Sequence, residues 1–366
     1  MRIKELDGLR GVAVLWVMDM HFLGWLPITG SSFGWLGVDL FFVLSGFLIT
    51  SILLGLRDEE HYFSIFYSRR ALRIFPPYFF GILVYLVVAI ALHLPGTLTL
   101  WLPYILYYTS LYIHSPMPST GGPYGVPIVI GFGLTVLWSL SVEELYYTIW
   151  APVVRFTSER SFHCILVGMI LAAPPLRWWL HTPGGDEVFA FYCRMDGLAY
   201  GSVVALLVKH RRALPQIWLK TDRYFDWAVS AFIPITVILW SITGGYRGNR
   251  ATSTFGLIFA DVTFALFTYA LIRHAGGNQL WVRIFRANWL RSIGMVSYSL
   301  YLFHYALGFV SQAFVATLHL SRRVSALSSA LLGILLSFAV AYGMWYGMES
   351  RIQRWKERKV PSPMRP

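Results

Sequence analysis

The chain has 366 residues, of which 56% are hydrophobic, 17% aromatic and only 13% charged, with a mean hydropathy of +0.57. Soluble domains are about a quarter charged, so this composition excludes a disordered chain, a nucleic-acid-binding domain and an ordinary soluble enzyme. Thirty Lys and Arg against 18 Asp and Glu leave a net charge of +12; in an integral membrane protein such an excess is first an orientation signal.

A spanning helix needs about 20 mostly apolar residues. Eleven segments are candidates in chain order: 9–27, 34–55, 75–94, 98–114, 134–154, 162–180, 192–208, 225–243, 254–272, 292–316 and 324–348. The first carries His21 and lacks a small-x-small cleavage site, so it reads as a transmembrane helix and not a signal peptide. The fourth is the weakest. It is short, holds Pro103, and carries Tyr104, Tyr107, Tyr108 and Tyr112, a residue type that favours the membrane interface. The cations decide against its crossing. Without it, 24 of the 30 Lys and Arg fall on one side, leaving Arg177, Arg194, Arg247, Arg250, Arg322 and Arg323 on the other. That asymmetry is the positive-inside pattern. The expectation is an all-α polytopic membrane protein of about ten transmembrane helices, eleven if the fourth crosses, with both termini cytoplasmic. A membrane domain fills residues 1–350 and a basic cytoplasmic tail residues 351–366. Cys164 and Cys193 make neither a disulfide framework nor a metal-ligand spacing, and no metal is expected.

A charge at the bilayer centre costs about 2.5–3.5 kcal/mol on insertion scales. Ionisable residues inside the apolar runs are therefore functional candidates, weighed against structural pairs that lock helices together. Arg10 and His21 stand 11 residues apart, which puts them on one helix face about 16 Å apart along the axis. This suits an elongated ligand with its anion at Arg10 and its reactive end at His21. Arg69, Arg70 and Arg73 cluster in Phe66–Tyr78, read as the loop ahead of the third span. There they either anchor the topology and touch lipid phosphate or form an anion site at the start of a helix. Glu143 and Glu144 lie mid-span in the fifth candidate; one of them facing His21 would make a proton-handling pair. Asp39, Asp196 and Asp261 lie nearer the outer ends, where they line a cavity open to that side or pair with Arg194. His304 lies mid-depth in Ser297–His304, where a hydrogen-bonded packing role competes with catalysis, and Tyr298 stands in the same run. A transporter or flippase of a small acylated or anionic substrate would also need midplane ionisable residues, but no inverted repeat is visible.

Together these segments resemble the acyltransferase 3 family of bacterial membrane O-acyltransferases. The likeness runs in order through nearly the whole chain: Leu6-Asp-Gly-Leu-Arg-Gly-Val-Ala13 with the Arg-x10-His spacing of Arg10 and His21, then Gly37–Ile49, then Arg70-x-x-Arg73. It continues with Trp138-Ser-Leu-Ser-Val-Glu-Glu144, Arg194–Gly201, Ser297–His304 and Tyr346–Glu349. The last motif departs from the family's Glu-x-Pro, reading Glu349-Ser-Arg.

The resemblance implies ten helices in a bacterial inner membrane. It implies transfer of an acyl group, usually acetyl, from cytoplasmic acyl-CoA to a hydroxyl of a glycan, lipid-linked sugar or small metabolite. No cofactor is held permanently; acetyl-CoA is the donor co-substrate. On this reading His21 is the catalytic base or acyl carrier and Glu143, with Glu144 beside it, orients or charges it. Arg10, Arg69, Arg70 and Arg73 take the donor phosphates. Asp39, Arg194, Asp196, Tyr298 and His304 are acceptor-side candidates. The acceptor is expected to enter from the outer side, where the 95–133 segment carries no Lys, Arg, Asp or Glu; its aromatic residues either stack on sugars or, as is commoner, form an interfacial belt. The resemblance is to a stand-alone form, in which no hydrolase-like domain is expected after the membrane domain; that domain's work is then expected from a separate periplasmic partner or is unnecessary.

Overall fold

The computed structural model describes residues 3–24, 31–91, 98–111, 136–211, 222–243, 245 and 248–359. Among them all regular structure is helical. The long helices are α1 (Lys4–Leu23), α2 (Leu36–Leu56), α3 (Tyr62–Ala91), α4 (Trp138–Phe156), α5 (Glu159–Trp179) and α6 (Met195–Arg211). They continue with α7 (Asp222–Ile242), α8 (Leu257–Arg273, led by a π turn Thr252–Gly256), α9 (Asn288–Ala316) and α10 (Arg322–Met344). Helix α10 runs through a π turn, Trp345–Glu349, into α11 (Ser350–Lys359). Seven helices among the described residues are long and apolar enough to cross a membrane, and α1, α4 and α6 are not among them. Charged residues, Arg10 among them in α1 and Glu143 and Glu144 in α4, interrupt the apolar run of the first two, and α6 is short at 17 residues. The protein is an all-α polytopic membrane protein.

Helix α2 is central, with 72% of its apolar window buried, whereas α7 buries 17% of its own and lies at the periphery. Helix α1 packs on α2 and α9, and α2 packs on α6. Glycine makes these contacts close, because lipid offers no hydrophobic drive and helices gain most from backbone approach. A Cβ on Gly201 would collide with the carbonyl of Val43, and one on Gly294 with the carbonyl of Asp7. Between α2, α4 and α6 a buried polar knot forms. Trp150 Nε1 donates to Thr50 Oγ1 at 2.7 Å, and the Ser202 hydroxyl lies 2.6 Å from both Thr50 Oγ1 and Tyr146 Oη.

Two expectations change. Phe66–Tyr78 is not a loop: α3 begins at Tyr62 and continues through Pro76 and Pro77. Phe66, Ile74, Tyr78 and Ile82, on both sides of the prolines, are all buried; this packing sustains the helix where two prolines remove backbone donors. The arginines therefore lie inside α3 and not at its free N–H end. The fourth candidate yields an eight-residue helix, Leu98–Ile105, and a 3-10 turn, Thr109–Leu111. Eight residues cannot span a bilayer. Hydrogen bonds from Tyr78 Oη to the Tyr104 carbonyl (2.6 Å) and from Ser141 Oγ to the Tyr107 carbonyl (2.6 Å) pin this piece to α3 and α4. Tyr112, most of the 95–133 segment, and Arg2, Arg212, Lys220, Arg247 and Arg365 lie outside the described residues.

Candidate active site

A cavity opens between α1, α2, α3, α4 and α9. Its charged lining is Arg10 from α1, Arg70 and Arg73 from α3, and Glu143 from α4. Val38, Phe41, Phe42 and Leu140 form an apolar wall, and Ser297, Tyr298 and Tyr301 of α9 close another side. Positions 70 and 73 line the cavity together because residues three apart share a helix face. Arg69, one position back, is not part of the lining; it lies near Lys356 of α11.

Glu143 is held at both oxygens. Ser45 Oγ donates to its Oε1 at 2.6 Å and Tyr147 Oη to its Oε2 at 2.9 Å. The Arg70 guanidinium stacks 4.1 Å over the Tyr147 ring. Three arginines thus face one lining carboxylate, and the buried Nε atoms of Arg10 and Arg70 have no hydrogen-bond partner. Surplus positive charge with unfilled donors, screened from water, is a site for an anion. Glu144, the next residue on α4, does not line the cavity, and its buried Oε1 has no hydrogen-bond partner. Tyr298 lines the cavity while its hydroxyl donates to the Ile74 carbonyl at 3.1 Å.

His21 meets a residue other than the one expected. Its Nδ1 lies 2.9 Å from the Val17 carbonyl and 3.0 Å from His304 Nε2. His304 is fully buried, and its Nδ1 lies 2.9 Å from the Tyr301 carbonyl. Tyr305 adds a ring 4.5 Å from that of His21. The anticipated His21–Glu143 pair is therefore replaced by His21–His304, because α4 turns Glu143 toward α2 and the arginines. The two regions adjoin through Tyr301, whose side chain lines the cavity and whose carbonyl holds His304.

The outer-side candidates form sealed ion pairs. Arg194 bonds Asp39, and Arg177 grips Asp196 through both nitrogens, at 2.9 and 2.8 Å. All four are at most 2% exposed, none lines the cavity, and Asp261 is buried beside them. Asp39, Arg194 and Asp196 thus tie α2, α5 and α6 together and do not face the cavity as a substrate surface. Arg177, one of the six cations assigned to the outer side, lies in the last turn of α5 and is fully buried in its pair with Asp196. Ser45 is not singled out in the sequence because its partner Glu143 lies 98 residues away; Tyr147 and Tyr301 stand four and three residues from Glu143 and His304, and that helical spacing was the signal available for them. Glu349, despite its altered motif, accepts from Ser299 Oγ at 2.7 Å. Glu159, His163 and His210 bring three potential metal-ligand atoms within 4.8 Å of one another, and none of them lines the cavity.

An all-helical membrane bundle with an arginine-lined cavity beside a histidine pair defines the class. The chain belongs to the acyltransferase 3 family, whose profile, described as an acyltransferase domain, matches residues 3–346. It is 27% identical to the peptidoglycan O-acetyltransferase OatA of Listeria monocytogenes over 83% of this chain and 49% of that one. It is 28% identical to YrhL of Bacillus subtilis, provisionally named for the same activity, over 83% of this chain and 48% of the other. With SACOL0978 of Staphylococcus aureus, provisionally an O-acetyltransferase, it shares 29% identity over 86% of this chain and 52% of the other. The chain spans about half the length of these relatives. No solved structure matches.

Proposed function

We propose that this protein is an O-acyltransferase of the bacterial inner membrane. It moves an acyl group, acetyl by its family, from cytoplasmic acyl-CoA to a hydroxyl of a glycan, lipid-linked sugar or small metabolite. The observation that carries this reading is the single cavity in which Arg10, Arg70 and Arg73 meet, joined through Tyr301 to His21 and His304. The coenzyme A phosphates bind the arginines, with Arg69 and Lys356 adding positive charge nearby. The pantetheine arm follows α1 toward His21, the direction the Arg10–His21 spacing supports. The likeness to a peptidoglycan O-acetyltransferase favours a cell-envelope glycan as acceptor.

His21 takes the proton of the acceptor hydroxyl as its oxygen attacks the thioester carbonyl carbon. The C–O bond forms and the C–S bond breaks. The proton then passes from His21 to the departing thiolate, releasing coenzyme A as the thiol. Glu143 offsets part of the arginine charge and fixes Tyr147 under Arg70. Ten spans with both ends inside agree with the 24-to-6 division of Lys and Arg.

The test is acetyl transfer from acetyl-CoA by the purified full chain in lipid nanodiscs, supplied with cell-envelope glycan acceptors. Turnover that disappears in His21→Ala supports the enzyme. Wild-type protein that neither binds nor consumes any acyl-CoA sinks it.

A further inference from the structure

Two backbone carbonyls bracket the histidine pair, and a carbonyl oxygen only accepts hydrogen bonds. The nitrogen beside each must therefore carry the proton. His304 Nδ1, 2.9 Å from the Tyr301 carbonyl, is N–H. In the neutral ring its Nε2 is then an acceptor, and that atom faces His21 Nδ1 at 3.0 Å. His21 Nδ1, 2.9 Å from the Val17 carbonyl, is N–H on the same grounds. Its single proton is shared between the Val17 carbonyl and His304 Nε2. Both contacts agree on one tautomer, and that tautomer leaves the basic lone pair of His21 on Nε2.

We infer that His304 is a positioning residue that holds His21 in its Nδ1–H tautomer, so that Nε2 is the atom that receives the acceptor's proton. The inference rests on His21 being the base of the reaction proposed above. It gives His304 a role that acceptor binding does not: fully buried, it acts through its neighbour. The chain Tyr301 carbonyl, His304, His21 has the logic of a base oriented by a third group, with a neutral imidazole where a carboxylate is more familiar. When His21 Nε2 is protonated, the Nδ1–H bond becomes a cation's hydrogen bond to His304 Nε2 and strengthens. His304 accordingly favours the charged, transition-state form of His21 over its resting form. This is an effect on kcat and not on donor binding. The orientation is built into the packing, since α1 and α9 meet where Gly294 lets the Asp7 carbonyl approach.

Two measurements test it. The first is the 15N spectrum of histidine-labelled wild-type protein in bilayers, with His21 assigned by its loss in His21→Asn. A protonated Nδ1 and bare Nε2 on His21 are expected; a protonated Nε2 in the resting protein overturns the inference whether or not transfer is detected. The second compares His304→Leu with His304→Gln. Leucine removes the acceptor, and kcat should fall about 10²–10⁴-fold, the range for a mispositioned general base, with KM for acetyl-CoA unchanged. Glutamine can present an amide oxygen near the Nε2 position, and should restore at least tenfold of that loss. Equal losses in the two variants, or wild-type kcat in His304→Leu, overturn it. Wild-type protein without any transfer would sink the proposed function alone, and the spectrum would still decide the tautomer.

Discussion

Ser45 donates its hydroxyl proton to Glu143 Oε1 at 2.6 Å, joining α2 to α4 across 98 residues of chain. With Tyr147 on the other oxygen, the bond aims the carboxylate into the arginine cavity and away from the histidine pair. Removing its charge should therefore act on the arginines before it acts on proton transfer. Glu143→Gln is expected to lower thermal stability and to reduce kcat less than His21→Ala does. Initial-rate kinetics on both variants check this; equal losses would return Glu143 to the position of His21's partner.

Arg70 and Arg73 line the cavity and Arg69 does not. A charge-assisted hydrogen bond is worth about 1.5–3 kcal/mol. Arg70→Ala or Arg73→Ala should thus raise KM for acetyl-CoA by roughly tenfold or more, with the effect of Arg69→Ala well below that. Arg70→Lys should behave more like Arg70→Ala than like wild type, since an ammonium lacks the planar face that stacks on Tyr147.

Arg177 and Asp196 form a two-point ion pair with 0% and 1% exposure. Truncating one partner strands a buried charge, at a cost of about 3–5 kcal/mol. Arg177→Ala and Asp196→Ala should each unfold the protein at markedly lower temperature. The double variant Arg177→Met with Asp196→Leu should recover much of the loss, because apolar packing often replaces a buried ion pair without penalty. Thermal unfolding followed by size-exclusion monodispersity reads all three.

Gly201 faces the Val43 carbonyl, and Gly294 faces the Asp7 carbonyl, with no room for a Cβ. Gly201→Ala and Gly294→Ala should push α6 from α2 and α9 from α1. Overpacking of this kind costs about 1–3 kcal/mol. Gly294→Ala should also lower kcat, since α1 and α9 carry His21 and His304. Gly168, with nothing near its missing side chain, is the control, and its alanine variant should unfold like wild type.

The sequence determined the all-helical membrane class, because hydropathy over about 20 residues is a local property of the chain. The Arg10–His21 spacing and the Arg70–Arg73 pair were legible for the same reason: helical periodicity fixes which residues share a face. It also marked the fourth candidate as weak, through Pro103 and its tyrosines. Local patterns misplaced the start of α3, where hydropathy put the span at 75–94 and Phe66–Tyr78 in a loop, whereas the burial of Phe66 and Ile74 accompanies helix from Tyr62 onward.

Tertiary structure alone decided which ionisable groups meet. His21 and His304 are 283 residues apart, and no periodicity links them. Glu143 and Glu144 are adjacent in sequence, yet only Glu143 lines the cavity, because neighbours on a helix diverge by 100° and the packing of α4 on α2 selects one. Asp39, Asp196 and Arg194 looked equally suited to substrate. Each was claimed by a buried counter-charge, because closing the bundle removes water and leaves an ion no other partner.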